Sequence, residues 1–162
     1  YPTITLAAQV LAICGIGTAQ AAINHIVGVA HKSKSITGAP TLGDRQNVQL
    51  HIAECEAKLQ AARCWFYAST DAAWSTILSG EKLTREQNLA LRLSASHAAR
   101  TGAEVARVCF EMVGTMGIFR DNPLSTYLTD SLVTAQHAFL TEGSFVNAGK
   151  VMFGHPPIPG YL

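Results

Sequence analysis

Apolar residues recur at intervals of three and four along this chain, and no stretch sustains the alternation at two that a half-buried strand shows. That period calls for helices throughout, and clusters of breakers divide them into four. The first runs from about Thr5 to Lys32 and ends in "KSKSITGAPTLGD", where Gly38, Pro40 and Gly43 interrupt any helix. Asp44 is placed to cap the second, which continues to Gly80, a glycine where a left-handed residue would close a helix. Val48, Ile52, Cys55, Leu59 and Ala62 form its apolar face. Thr84 and Gln87 have the spacing of a capping box and open a third helix reaching about Val113, before Gly114 and Gly117. Asp121 or Asn122 caps a fourth, with Pro123 in its first turn, and "LTDSLVTAQHAFLTEGS" carries it to about Gly149. The tail "HPPIPGYL" reads as extended. Helices of this length with short connections predict an all-α fold, a mostly antiparallel four-helix up-down bundle.

The 162 residues suffice for one domain with a sizeable core, so a single domain over 1–162 is expected. With 48% hydrophobic and 14% charged residues, part of the surface is expected to be covered by another chain. A net charge of +1 with no basic run argues against nucleic acid. Leu6 to Ala30 is apolar enough to raise the question of a membrane span, but Gln9, Gln20, Asn24 and His25 would be costly in lipid. A buried core helix and no membrane contact are expected instead. Cys14, Cys55, Cys64 and Cys109 lack C-x-x-C spacing and each sits in an apolar helical pattern, which reads as reduced core thiols. Arg85, Arg92, Arg100 and Arg107 read as a solvated stripe supported by pairs from Arg100 to Glu104 and from Arg107 to Glu111. The chain opens Tyr1-Pro2 without a leader pattern, so it is expected to be a fragment of something longer.

Self-contained chemistry is hard to place. None of the six histidines has a glutamate three residues before it, which removes the di-iron bundle signature, and no metal is expected. The glycines of "GIG" lie inside a helix with no preceding strand, which suits close helix packing better than a phosphate loop. Serines and cysteines sit mid-helix instead of on strained turns. What remains is polar groups at helix ends, fit to complete a site formed mainly elsewhere. Two stand out: His137, directly after Gln136, and Glu142, little more than one turn later.

The run "GTMGIFRDNPLSTYLTDSLVTAQHAFL" resembles the last part of the acyl-CoA dehydrogenase superfamily, where a glycine turn, Arg-Asp-x-Pro and an Arg-Asp helix follow at this spacing. Gly114 and Gly117 match the turn, Arg120, Asp121 and Pro123 the second motif, and Asp130 the last aspartate. "RQNVQLHIAECEAKLQAAR" is similar to the family's Gln-x-x-Gln helix and places Gln46, Gln49 and Arg63. The resemblance covers the whole chain, as the C-terminal helical domain of a longer cytoplasmic flavoenzyme. It implies a flavin, FMN or FAD, bound only with domains beyond this sequence, a small-molecule substrate, and self-association to a dimer or tetramer. Gln46, Gly114 and Gly117 are the implied cofactor contacts. Lys34 joins them because Ser35 stands where family members place a phosphate-binding arginine.

The departures bear on chemistry. Ala138 occupies the place of the common catalytic glutamate, and Glu142 in "EGS" is similar to the family's "EGT" about one turn late. Thr115 replaces the second glycine of the turn near the adenosine half of FAD, which leaves FMN and FAD both open, and Thr129 replaces the arginine before Asp130. Gln136-His137 resembles the Gln-His pair of the flavin-dependent monooxygenase branch, which uses reduced flavin and oxygen, with a separate flavin reductase as a further partner. The resemblance then implies two catalytic residues. His137 would face the flavin, donating to an oxygenated flavin or taking a phenol's proton. Glu142 would be the base of a dehydrogenase acting on CH–CH bonds. Plainer readings are a histidine satisfied in the bundle or at an interface, and a solvated or capping carboxylate. A non-catalytic helical oligomerisation module is the alternative of another class.

Overall fold

The computed structural model describes residues 1–32 and 38–161, so Lys34 lies outside the described residues. These residues form five α-helices, α1 (Thr3–Val29), α2 (Gln46–Leu78), α3 (Arg85–Met112), α4 (Leu124–Gln136) and α5 (Glu142–Met152), with short 3-10 helices at Leu42–Asp44 and Gly114–Ile118. No strand occurs among them. The fold is all-α, as expected.

Cross-helix pairs fix the directions. Arg92 Nη1 on α3 donates to Ile4 O on α1 at 3.3 Å, and further along both helices Gly102 lies against Gly15, so α1 and α3 run parallel. The Ser69 and Ser94 hydroxyls meet at 2.8 Å and Lys58 Nζ reaches Glu104 at 2.6 Å, which sets α2 antiparallel to α3. α4 starts just beyond the end of α3, and by Thr134 it has come back to the level of Gly15 and Ala99. The order is up, down, up, down. α3 packs against all four other helices, while α1 also packs on α4 and more lightly on α2.

The core is a seam of small residues. Ala8, Ala12, Ala19, Ala95, Ala98 and Ala99 are fully buried beside Ile26, Leu59 and Leu91. At its closest point a Cβ on Gly102 would fall 2.6 Å from Gly15 O, so the two backbones touch and only glycine fits. By length and composition α1 could cross a membrane, but Ala8, Ala12, Ile16, Ala19, Ile23 and Ile26 are engaged in this core. Its opposite side exposes Leu6, Val10 and Ile13.

Helix ends follow the sequence closely, with exceptions. The capping box is present, Gln87 N donating to Thr84 Oγ1 at 3.1 Å and Thr84 N to Gln87 Oε1 at 3.0 Å. Gly80, at φ +83°, closes α2 with Gly80 N on Ile77 O and Glu81 N on Thr76 O. Asp44 does not cap α2: Arg45 holds that position, and the Asp44 carboxylate instead accepts from the Thr41 hydroxyl at 2.6 Å. The arginine stripe also breaks up. Arg107 pairs with Glu111 at 2.7 Å as expected, but Arg100 pairs with Glu142, Glu104 with Lys58, and Arg92 is buried. Of the four free cysteines, Cys55 and Cys109 are core residues and Cys14 and Cys64 are exposed. The fourth helix does not reach Gly149 unbroken.

Candidate functional site

Nothing in "TAQHAFLTE" is a glycine or proline, yet α4 ends at Gln136. His137 turns to an extended ψ of 139°, and the chain folds through Leu140, whose N–H returns to His137 O at 2.8 Å. Three interactions fix this break. Leu140 is fully buried, Phe139 N donates to His137 Nδ1 at 3.3 Å, and Ser144 Oγ donates to Phe139 O at 2.7 Å. Burial of one leucine and two side-chain hydrogen bonds thus outweigh the helical preference of the segment. Thr141 then takes the N-cap position of α5, with Glu142 in the first turn.

His137 is therefore not buried in the bundle. It is exposed at the end of α4, its ring edge-on to Phe139 with centroids 4.9 Å apart. Because Nδ1 accepts a backbone N–H, the neutral imidazole carries its proton on Nε2, and that nitrogen is the donor the break presents. Glu142 belongs to the same region. Its side chain is 87% exposed and 3.4 Å from Arg100 Nη2, while the Arg100 guanidinium lies 4.8 Å over the Phe145 ring. A pair this open to water contributes little to stability.

The other candidate residues lie at the far end of the bundle. Gln46 opens α2 with an exposed side chain, and the first turn carries no acidic residue and no side-chain cap. Gly114 adopts φ +59° with open space where a Cβ would point. Gly117 has an internal reason for being glycine, since a Cβ there would meet Phe110 Cε2 at 2.9 Å. Between Gln46 and Gly114 a cleft of about 290 Å³ follows the α2–α3 groove, lined by Asn47, His51, Cys55, Lys58, Glu104 and Met112. The neighbouring Cys55 and burial hold Cys109 as the thiol, and Cys109 beside it pulls Cys55 down. α2 makes no substantial contact with α4 or α5, so the chain does not bring Gln46 and Gly114 to His137 and Glu142. In chemical terms the Gln46 end, with an exposed amide and uncapped N–H groups, suits the anionic or polar part of a flavin. Gly117 does not contribute to that fit.

Sequence reasoning missed one constellation next to the break. Arg92, 4% exposed, has no carboxylate partner among the described residues; its guanidinium carbon sits 4.9 Å over the Tyr161 ring, and among those residues its Nε finds no hydrogen bond. Desolvation lowers the Arg92 pKa and raises that of Tyr161. Tyr161 OH donates to Ser144 O at 2.7 Å, and Ile158 N donates to Asn147 Oδ1 at 2.9 Å. The tail thereby folds back over α5 and the start of α3. The only sequence signal for this was that four arginines share one spacing while one of them falls among alanines and serines.

An up-down bundle with a polar break on one flank and an uncapped helix start at the other end is the shape of a domain that shares its site with other parts of a protein. The sequence profile of the acyl-CoA dehydrogenase C-terminal domain matches residues 9–142, and the chain belongs to that family. It is 43% identical over all 162 residues to an indole-3-acetate monooxygenase of Pseudomonas putida, of which it covers 42%. Among solved structures, the 3-HSA hydroxylase of Rhodococcus sp. RHA1 superposes with a TM-score of 0.87 at 20% identity, covering 100% of this chain and 41% of that one. XiaF from Streptomyces sp., solved in complex with FADH2 and glycerol, gives 0.87 at 22% identity, covering 96% and 40%. These two likenesses bear on the fold. The chain spans about two fifths of the length of the relative it matches.

Proposed function

We propose that this chain is the C-terminal domain of a longer cytoplasmic monooxygenase that uses reduced flavin and dioxygen to oxygenate a small aromatic acid. The observation that carries the reading is the 43% identity, over every residue of the chain, to an indole-3-acetate monooxygenase. Reduced flavin, when bound, supplies the electrons that activate dioxygen. The chain's own part is to position donors and exclude water. His137, with Nδ1 engaged by Phe139 N–H, acts in this reading as a hydrogen-bond donor through Nε2 instead of as a base, and the Nδ1 contact supports that choice. Gln46, Gly114 and Lys34 are the contacts to the cofactor's polar part in this reading, and because Gln46 lies far from His137 the two serve different flavins of an oligomer. Exposed Leu6, Val10 and Ile13 on α1 support a dimer or tetramer. A separate reductase supplies the reduced flavin, and reduced FAD and reduced FMN are the two forms to compare.

The test is His137→Ala in the full-length, flavin-loaded protein. Flavin reduction should be unchanged while hydroxylated product per flavin oxidised falls; unchanged coupling would remove His137 from the reaction. A second reading, acyl-CoA dehydrogenation with Glu142 as base, draws support from the family and from the open Glu142 carboxylate at the start of α5. It requires that an acyl-CoA bleach the oxidised flavin and that Glu142→Gln abolish the bleaching.

A further inference from the structure

We infer that Ser144, Tyr161 and Arg92 are positioning residues that hold the His137 ring in its Nε2–H form through an unbroken series of contacts from the C-terminal tail. The inference rests on the reading of His137 as a donor. The series can be followed atom by atom. The Arg92 guanidinium stacks on the Tyr161 ring, Tyr161 OH donates to Ser144 O at 2.7 Å, Ser144 Oγ donates to Phe139 O at 2.7 Å, and Phe139 N–H donates to His137 Nδ1 at 3.3 Å. Phe139 is the pivot. Its carbonyl is pinned by Ser144 and its N–H holds the imidazole, so the peptide plane on one side of Phe139 sets where the other can point.

Burial sets the tail end of this series apart from ordinary surface hydrogen bonding, while its last link, from Phe139 N–H to His137 Nδ1, lies at the surface. Ser144, Tyr161 and Arg92 are 3%, 2% and 4% exposed, so water cannot readily substitute for a lost partner. Arg92 is the costly member. A buried guanidinium that, among the described residues, meets no carboxylate, holds one carbonyl at 3.3 Å and leaves Nε unpaired is a poor device for stability alone. What it does in this structure is cap the face of Tyr161, whose phenol oxygen reaches the start of α5. The tail, α3 and α5 are thereby tied to the one nitrogen of His137 that must accept for the other to donate.

The first measurement is the imidazole nitrogen spectrum of the full-length protein, flavin-free and labelled in its histidine rings, at about pH 9. His137 is assigned from the His137→Asn spectrum. The parent protein should show the Nε2–H tautomer alone. Ser144→Ala should add the Nδ1–H form, and Tyr161→Phe, which keeps the ring under Arg92 and removes only the hydroxyl, should add a smaller fraction. An unchanged tautomer in both variants overturns the inference. The second measurement is coupling in the flavin-loaded enzyme. Ser144→Ala should consume about fivefold more flavin per product, the scale of one hydrogen bond, and should cost nothing further in a His137→Ala background. Equal losses in both backgrounds would mean that Ser144 acts on the fold alone, and the inference fails. If the tautomer responds while His137→Ala leaves coupling unchanged, the positioning stands and the donor role of His137 falls.

Discussion

Replacing Gly102 by alanine should push α1 and α3 apart. The added Cβ would lie 2.6 Å from Gly15 O, 2.8 Å from its carbonyl carbon and 3.2 Å from its Cα, all backbone atoms that no rotamer can move. Relief to ordinary van der Waals distance needs roughly 0.8 Å of separation, and a gap of that order forfeits about a quarter to a half of each contact well it touches. The contacts at stake are those of a fully buried seam, Ala8 and Ala12 against Ala95, Ala98 and Ala99. Overpacking of this kind costs ~3 kcal/mol at the upper end of its usual range, and the better helix propensity of alanine returns ~1 kcal/mol. The net loss is about 2 kcal/mol, or a melting temperature lower by about 4–8 °C in a chain of this size. Gly17→Ala is the control, since nothing lies within 4 Å of a Cβ there and the same propensity gain should appear unopposed. Thermal and denaturant unfolding followed by far-ultraviolet circular dichroism measures both. If Gly102→Ala melts at or above the parent temperature, the backbone contact between α1 and α3 is not the constraint described.

Tyr161 predicts an alkaline limit. Burial raises its pKa above the ordinary 10.0, so the folded chain keeps a proton that the unfolded chain releases. That stability is fully present below the ordinary value and is lost as pH rises from there through the folded value. Melting temperature should therefore fall more steeply above about pH 10 in the parent than in Tyr161→Phe, which starts lower by ~1 kcal/mol for the lost hydrogen bond; parallel curves would refute the assignment. Gln46→Ala in the full-length protein should weaken flavin retention by about fivefold with unfolding unchanged, read by equilibrium dialysis, and unaltered retention would remove Gln46 from the cofactor site. Thr84→Ala should cost ~1 kcal/mol through loss of the capping box, and a smaller effect on unfolding than ~0.3 kcal/mol would mean α3 does not depend on it.

The long helices were legible because they announce themselves locally. Thr84 with Gln87 and Gly80 mark ends through their own chemistry, and both act as the sequence implied. The break at His137 was not legible, because it depends on Leu140 being buried and on Ser144 reaching Phe139, neither of which is a local preference. Thr141 and Glu142 do carry the start signature of a helix, but a reading already in progress absorbs them as interior residues. Arg92 illustrates the same limit from the other side. Its spacing matches that of Arg100 and Arg107, and only the return of the tail, with Tyr161 arriving from the chain's other end, decides that it is interior. Gly117 shows why a motif glycine is ambiguous in sequence, since motif position and packing against Phe110 ask for the same residue.

The parallel arrangement of α1 and α3 also sets a sequence of events in time. α2 and α3 are neighbours joined by a tight turn and can zip from Gly80 outward, whereas every α1–α3 contact closes a loop that contains the whole of α2. Loop closure of that length is slow relative to the hairpin. The two-helix hairpin is thus expected to form first, with α1 docking afterwards into a groove that already exists. Substitutions at the Gly15–Gly102 crossing should then mainly speed unfolding and leave the refolding rate nearly alone.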